Sequence, residues 1–92
     1  MTNGESLVNK FGAKSVCVED GEECTLKVTW KDSTENIVSI YELVKNNDLF
    51  WRLRNPRYFK HAGVDPLGGL CWPEGEDISP GKIRNYIIER EV

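Results

Sequence analysis

The clearest alternation of apolar and polar positions in the chain is CTLKVTW, residues 24–30. Cys24, Leu26, Val28 and Trp30 fall on one side of an extended backbone, and Thr25, Lys27 and Thr29 fall on the other. One buried and one wet face predict a strand of an antiparallel sheet. A shorter β-type run, Ser15-Val16-Cys17-Val18, precedes it and is closed by the turn-rich Glu19-Asp20-Gly21-Glu22. Beyond it, the polar Lys31 to Glu35 predicts a hairpin connection longer than the usual two-residue loop. Asn36 to Ser39 is then the strand that pairs back.

The period changes after Ser39. Ser39-x-x-Glu42 has the form of a capping box, in which each side chain satisfies an orphan amide at a helix start. Tyr41 to Lys45 fits a short helical turn, stopped by Asn46-Asn47. Asp48 is positioned to cap a second short helix, Leu49 to Arg54, which Asn55-Pro56 ends. Tyr58 to Asp65 predicts another strand, Asp65-Pro66-Leu67-Gly68-Gly69 a turn, and Gly69 to Trp72 the partner strand. In GGLCWPEGEDISPGKI, residues 68–83, Ser79 and Pro80 suit the N-cap and first position of a helix. Ile83, Tyr86 and Ile87 then share its apolar face. These elements predict one α+β domain over residues 15–92, after a flexible polar N-terminus over residues 1–14. Its small antiparallel sheet has about five strands, with short helices between them and a C-terminal helix packed on one face. Ile83 and Ile87 are expected to cover the inner face of CTLKVTW.

Composition adds limits. Among 92 residues, 39% are hydrophobic and there are three Trp, three Tyr and three Phe, which favours a folded globule. The net charge of −3 gives no whole-chain footprint for nucleic acid or membrane. No apolar run approaches the ~20 residues that span a bilayer. MTNGESLVNKFGAKS lacks the basic start and apolar stretch of a secretion signal, so a cytoplasmic location is expected. Cys17, Cys24 and Cys71 are an odd count without framework spacing, which predicts reduced thiols. With His61 the sole histidine, they also make a poor metal site, and neither metal nor cofactor is expected.

The order of these elements, together with Trp72-Pro73-x-Gly75-x-Asp77 followed by Ile78-Ser79-Pro80, resembles a family of small bacterial proteins. That family is catalogued as domain of unknown function 2442. CTLKVTW, IVSIYELV, Phe50 and Leu53 before Asn55-Pro56-Arg57-Tyr58-Phe59, and Val64-Asp65 also carry the resemblance, which covers roughly Ser15 to Ile88. The family often has a tight Asp-Gly hairpin where this chain has the longer Asp32 to Asn36. Some relatives look fused to helix-turn-helix segments, and others look like products of paired genes of the toxin–antitoxin kind. The resemblance therefore implies a regulatory setting, and it supplies no catalytic residues.

Two regions are candidates for chemistry. In the Trp72 to Asp77 loop every residue type has a structural reason. Trp72 anchors the strand exit and Pro73 stiffens it. Gly75 supplies a backbone angle forbidden to a side chain, and Asp77 can accept amides at the helix entrance. Glu74, Glu76 and Asp77 would repel a phosphate there. Asp65 and Asp77 could in principle share acid and base roles, but capping of the turn by Asp65 explains it better. Cys71, beside Trp72, reads as buried core rather than as a nucleophile for His61. No catalytic residue is assigned, and the chain is not expected to be an enzyme.

The other candidate is FWRLRNPRYFKH, residues 50–61, where Arg52, Arg54, Arg57, Lys60 and His61 stand among aromatics with no acid. Such a stretch can contact phosphates and stack on bases. The weightier reading of the same stretch is that Phe50, Leu53 and Phe59 are core while the arginines pair with acids elsewhere. Phe50 and Leu53 on the buried face leave Trp51 outward, and an exposed Trp beside Arg is typical of a protein–protein hot spot. The leading expectation is a non-enzymatic binding module acting through a protein partner by Trp51, Arg52, Arg54 and Arg57. The alternative is a nucleic-acid-associated transcriptional regulator that uses residues 50–61.

Overall fold

In the computed structural model, which describes residues 12–19 and 23–88, the alternating segment becomes β2 (Thr25–Trp30). It lies inside a four-stranded antiparallel sheet of order β1-β2-β3-β7, with β1 spanning Ala13–Val18, β3 Glu35–Ser39 and β7 Ile87–Ile88. The register sets Val28 against Val16 on one side and Leu26 against Val38 on the other. Cys24, Leu26, Val28 and Trp30 are all buried, as their spacing requires. Thr25, expected on the wet side, is buried too, and its hydroxyl donates to the Glu23 carbonyl at 3.0 Å.

The hairpin after β2 is longer than two residues, as expected. Trp30 N donates to the Thr34 carbonyl at 2.8 Å, enclosing Lys31 to Ser33, and Ser33 takes the left-handed φ of 74°. Asp32 Oδ1 holds the turn by accepting from Thr34 N and Oγ1. Ser39 does not cap a helix. It stays in β3, its amide donating to the Tyr86 carbonyl, and Ile40 precedes α1 (Tyr41–Lys45) with no side-chain cap. Pairing with the neighbouring strand competes with capping for the same residue, and pairing wins.

A 3-10 helix follows at Asp48–Arg54, kinked at Phe50. Its cap is Asn47, whose side chain accepts from Leu49 N, and not Asp48. The expected strand from Tyr58 to Asp65 is largely a helix, α2 (Pro56–Phe59). Asn55 caps it and Pro56 takes its first turn, so the proline that ends one helix begins the next. Only Gly63–Val64 is extended, as β4. It pairs with β5 (Leu70–Cys71), which pairs with β6 (Asp77–Ile78), and the three form a second antiparallel sheet. The strands thus divide between sheets of four and three where one sheet of about five was expected.

The last helix, α3 (Pro80–Arg84), starts as predicted: the Ser79 hydroxyl accepts from Lys82 N, Pro80 is in the first turn and Ile83 is fully buried. It is only five residues long. Tyr86 and Ile87 do not extend its face. The chain turns at Asn85-Tyr86, and the β-branched Ile87 pairs with Val38 on the edge of the larger sheet. The Arg84 guanidinium lies 3.8 Å from the Trp30 ring centroid.

One apolar cluster joins both sheets, running from Ala13 and Leu26 through Leu53 and Phe59 to Leu70, Trp72 and Ile83. The sheets are also tied by Ala13 N donating to the Gly68 carbonyl at 2.8 Å. Of the segment expected to be flexible, residues 1–11 lie outside the described residues, as do residues 20–22 of the Glu19–Glu22 turn, and Ala13 already opens β1. Cys17, Cys24 and Cys71 are free thiols, and Cys71 is only half-buried where a core position was expected. No helix among the described residues is long and apolar enough to cross a membrane.

Candidate functional site

The Trp72 to Asp77 loop connects β5 to β6 and is internally braced. Trp72 N donates to the Glu76 carbonyl at 3.0 Å and Gly75 N to the Trp72 carbonyl at 3.1 Å. Trp72 is 4% exposed, packs on Phe59 with ring centroids 5.7 Å apart, and donates from Nε1 to the Phe59 carbonyl. Gly75 has φ +109°, the angle for which a glycine is needed. Pro73 is exposed at the turn. Asp65 caps its own turn, Oδ1 accepting from Leu67 N and Gly69 N, both at 2.9 Å. Asp77 does not serve the helix entrance. It is an exposed member of β6, paired with Cys71, and Ser79 caps α3 alone.

The residue that organises the surface beside this loop is Glu76, which is only 7% exposed. Its Oε1 accepts from the Tyr58 hydroxyl at 2.6 Å and its Oε2 from Arg52 Nη1 at 3.2 Å. Tyr58 completes the circuit by accepting from Glu74 N at 2.8 Å. Burial pushes the Glu76 carboxyl up, but the Tyr58 hydroxyl, the backbone and Arg52 together outweigh it and hold it below the usual glutamate range. Burial and the bond to Glu76 push the Tyr58 phenol up.

Arg52 carries this order to the surface. Its guanidinium lies 4.7 Å from the Trp51 ring centroid, while the indole itself is 59% exposed. Trp51, Arg52 and Arg54 line a hollow of about 570 Å³ together with Asn55, Tyr58 and Glu74. A second hollow, of about 310 Å³, shares Arg52 and Glu74 with it and is lined also by Leu49, Phe50, Gly75, Glu76 and Asp77. Leu49 is 77% exposed.

Of the four residues expected to bind a partner, the structure therefore brings Trp51, Arg52 and Arg54 together. Arg57 is exposed on α2 and lies outside the lining of either hollow. Leu53 and Phe59 are core and Phe50 packs against it, as their spacing requires. Arg52 pairs with an acid, which is the alternative the sequence left open for the arginines. Glu76 carried no local signal, because its partners Tyr58 and Arg52 are 18 and 24 positions away.

Residues 14–89 match the sequence profile of the family described as "Protein of unknown function (DUF2442)". The chain belongs to this family. No curated protein matches it, and no solved structure does. The DUF2442 match spans β1 to β7, so the Trp51 face and the Trp72 to Asp77 loop both lie inside the family domain. Chemically, the arrangement offers an exposed aromatic ring, two guanidinium groups and one exposed carboxylate around a preformed hollow. That equipment suits recognition of a surface.

Proposed function

We propose that this DUF2442 domain is a non-enzymatic, regulatory binding module of a bacterial cytoplasm, acting through a protein partner that docks on Trp51, Arg52 and Arg54. Arg57, on the neighbouring α2, adds positive charge to the approach. The observation that carries the proposal is the exposed Trp51 indole with Arg52 set over it at 4.7 Å. Trp and Arg are the side chains most often found at the centres of protein interfaces. Here Arg52 is held from behind by Glu76, so part of the face is ordered before any partner arrives, and less side-chain freedom is lost on binding. Three free cysteines, with Cys17 exposed, support a reducing compartment.

A nucleic-acid-associated transcriptional regulator is the second reading, favoured by the exposed Arg54, Arg57 and Lys60 within residues 50–61. Glu74 in the hollow counts against it, since a run of phosphates would pass a carboxylate. The two separate by salt. Affinity for nucleic acid falls steeply with salt as counterions are released, whereas a partner held by Trp51 is much less sensitive. The deciding experiment is capture of the partner from the native cell, followed by calorimetric titration into the native domain and Trp51→Ala. The expected loss is ~2 kcal/mol or more, with Arg54→Ala costing less. Equal affinity for native and variant domains would defeat the proposal.

A further inference from the structure

Resting on the reading of this face as a docking surface, we infer that its occupant is an acidic peptide segment, with an apolar side chain laid between Trp51 and Tyr58 and a carboxylate directed to Arg54. The hollow of about 570 Å³ is of the size that takes one or two side chains, within the ~300–1,000 Å³ of small-ligand sites. One of its aromatic walls is fixed and the other is exposed. Tyr58 is held between Glu74 N and Glu76, and Trp51 stands under the Arg52 guanidinium.

The two arginines differ in what they have left to offer. Arg52 already has the buried Glu76 carboxylate at 3.2 Å. Arg54 has one long bond, from Nη2 to the Lys45 carbonyl at 3.4 Å, and among the described residues no carboxylate lies within ion-pair distance of it. A guanidinium in that state has donors free for a carboxylate, which it can bind with two parallel bonds. Glu74 lines the same hollow, so the charge there is divided rather than uniformly positive. A peptide with one or two acids can place them on Arg54 and keep clear of Glu74, and a polyphosphate backbone cannot.

The chain's net charge of −3 does not oppose this. At physiological ionic strength charges more than ~8 Å apart are largely screened, so the groups lining the hollow decide the contact, and among them Arg54 is the cation with no carboxylate partner. The adjoining hollow is lined by the exposed Leu49 and by Phe50 but also by Glu74, Glu76 and Asp77, so the acids of the segment stay on the Arg54 side and only an uncharged residue fits beyond Arg52. An extended segment can therefore set a second apolar residue there.

The test uses a displayed random peptide library panned on the native domain, on Trp51→Ala and on Arg54→Glu, with thermal melts to confirm that both variants are folded. The native domain should enrich sequences with an aromatic or aliphatic residue close to Asp or Glu. A labelled peptide of the enriched sequence should bind Trp51→Ala roughly thirtyfold more weakly, the fold-change of a hot-spot truncation. Arg54→Glu should turn the enriched sequences from acidic to basic. Enrichment of neutral or basic sequences by the native domain, no enrichment, or an unchanged preference in Arg54→Glu would overturn the inference. So would tighter, steeply salt-dependent binding of an oligothymidylate probe to the same face. If a captured folded partner depends on Trp51 while no acidic peptide is enriched, only the acidic segment falls. If capture is indifferent to Trp51, the docking surface falls with it.

Discussion

Arg52 and Glu76 stand 24 positions apart in the chain and meet at 3.2 Å, joining an exposed face to a buried carboxylate. On the outer side of this contact Arg52 covers Trp51. On the inner side Glu76 takes the Tyr58 hydroxyl at 2.6 Å. The contact thus ties the 3-10 helix, α2 and the β5–β6 loop to one another at the edge of the core.

Glu76→Gln tests this relationship through pH. The native carboxyl is held below the ordinary glutamate value of 4.5, so the unfolded chain takes up its proton first as the pH falls. The stabilisation is therefore fully present well above that value and is lost as the pH drops through the lower native one. At neutral pH the variant should lose ~1–3 kcal/mol, toward the lower end because Arg52 is partly in water and the bridge is screened. Under acid the melting curves of native and variant domains should converge. Curves that stay parallel into the acid range would show that Glu76 is not the titrating group.

What was legible in the sequence was whatever depends on neighbours along the chain. The period of β2, the Asp65 turn, the Ser79-Pro80 helix start and the outward Trp51 are all local, and the structure has each of them. Residues 85–88 were not legible, because Tyr86-Ile87-Ile88 suits a helical face and a strand equally well. The open edge of β3 decides between them, and that edge exists only once the sheet has formed. Pro56 was misleading for a similar reason. It stops the 3-10 helix, but Asn55 before it is a good cap, so it also starts α2. Glu76 was invisible as an organiser, since its two side-chain partners come from the segment before the β4–β5 turn.

Trp72→Ala should cost ~3–5 kcal/mol, as other large truncations in cores do, because the indole is buried against Phe59. Trp72→Phe keeps an aromatic ring there and removes the bond from Nε1 to the Phe59 carbonyl, and should cost less, ~1–3 kcal/mol. Denaturant melts of the two variants check the order. A fully stable Trp72→Ala would mean that the β5–β6 loop is not the anchor described above.

The thiols should react in an order set by burial. Cys17 is exposed on β1, whereas Cys24 is buried and its thiol is pushed up to about 11, chiefly by that burial. Thiolate is the reactive form, so Cys24 is doubly protected at neutral pH. A disulfide reagent followed by mass spectrometry should label Cys17 first, with Cys24 labelled only at the rate of unfolding. Fast labelling of Cys24 in the native domain would show that the end of β2 opens on its own.

Among the described residues, the glycines at positive φ, Gly68 and Gly75, should differ sharply when changed to alanine. Gly75 has φ +109°, yet a Cβ there would meet nothing within 4 Å. The cost of Gly75→Ala is then backbone strain alone, ~1–3 kcal/mol. Gly68 has φ +89°, and a Cβ there would stand 2.5 Å from Gly12 Cα and 3.0 Å from Ala13 N. Both obstacles are backbone, so no side-chain rotation relieves them. The segment that opens β1 must move away, and with it goes the bond from Ala13 N to the Gly68 carbonyl that ties the two sheets. Gly68→Ala should therefore be clearly the less stable variant in denaturant melts, and amides of β1 should lose protection in hydrogen exchange. Gly75→Ala should leave those amides protected. Equal losses, or a worse Gly75→Ala, would mean that the close approach of Gly12 to Gly68 is not what holds β1 against the second sheet.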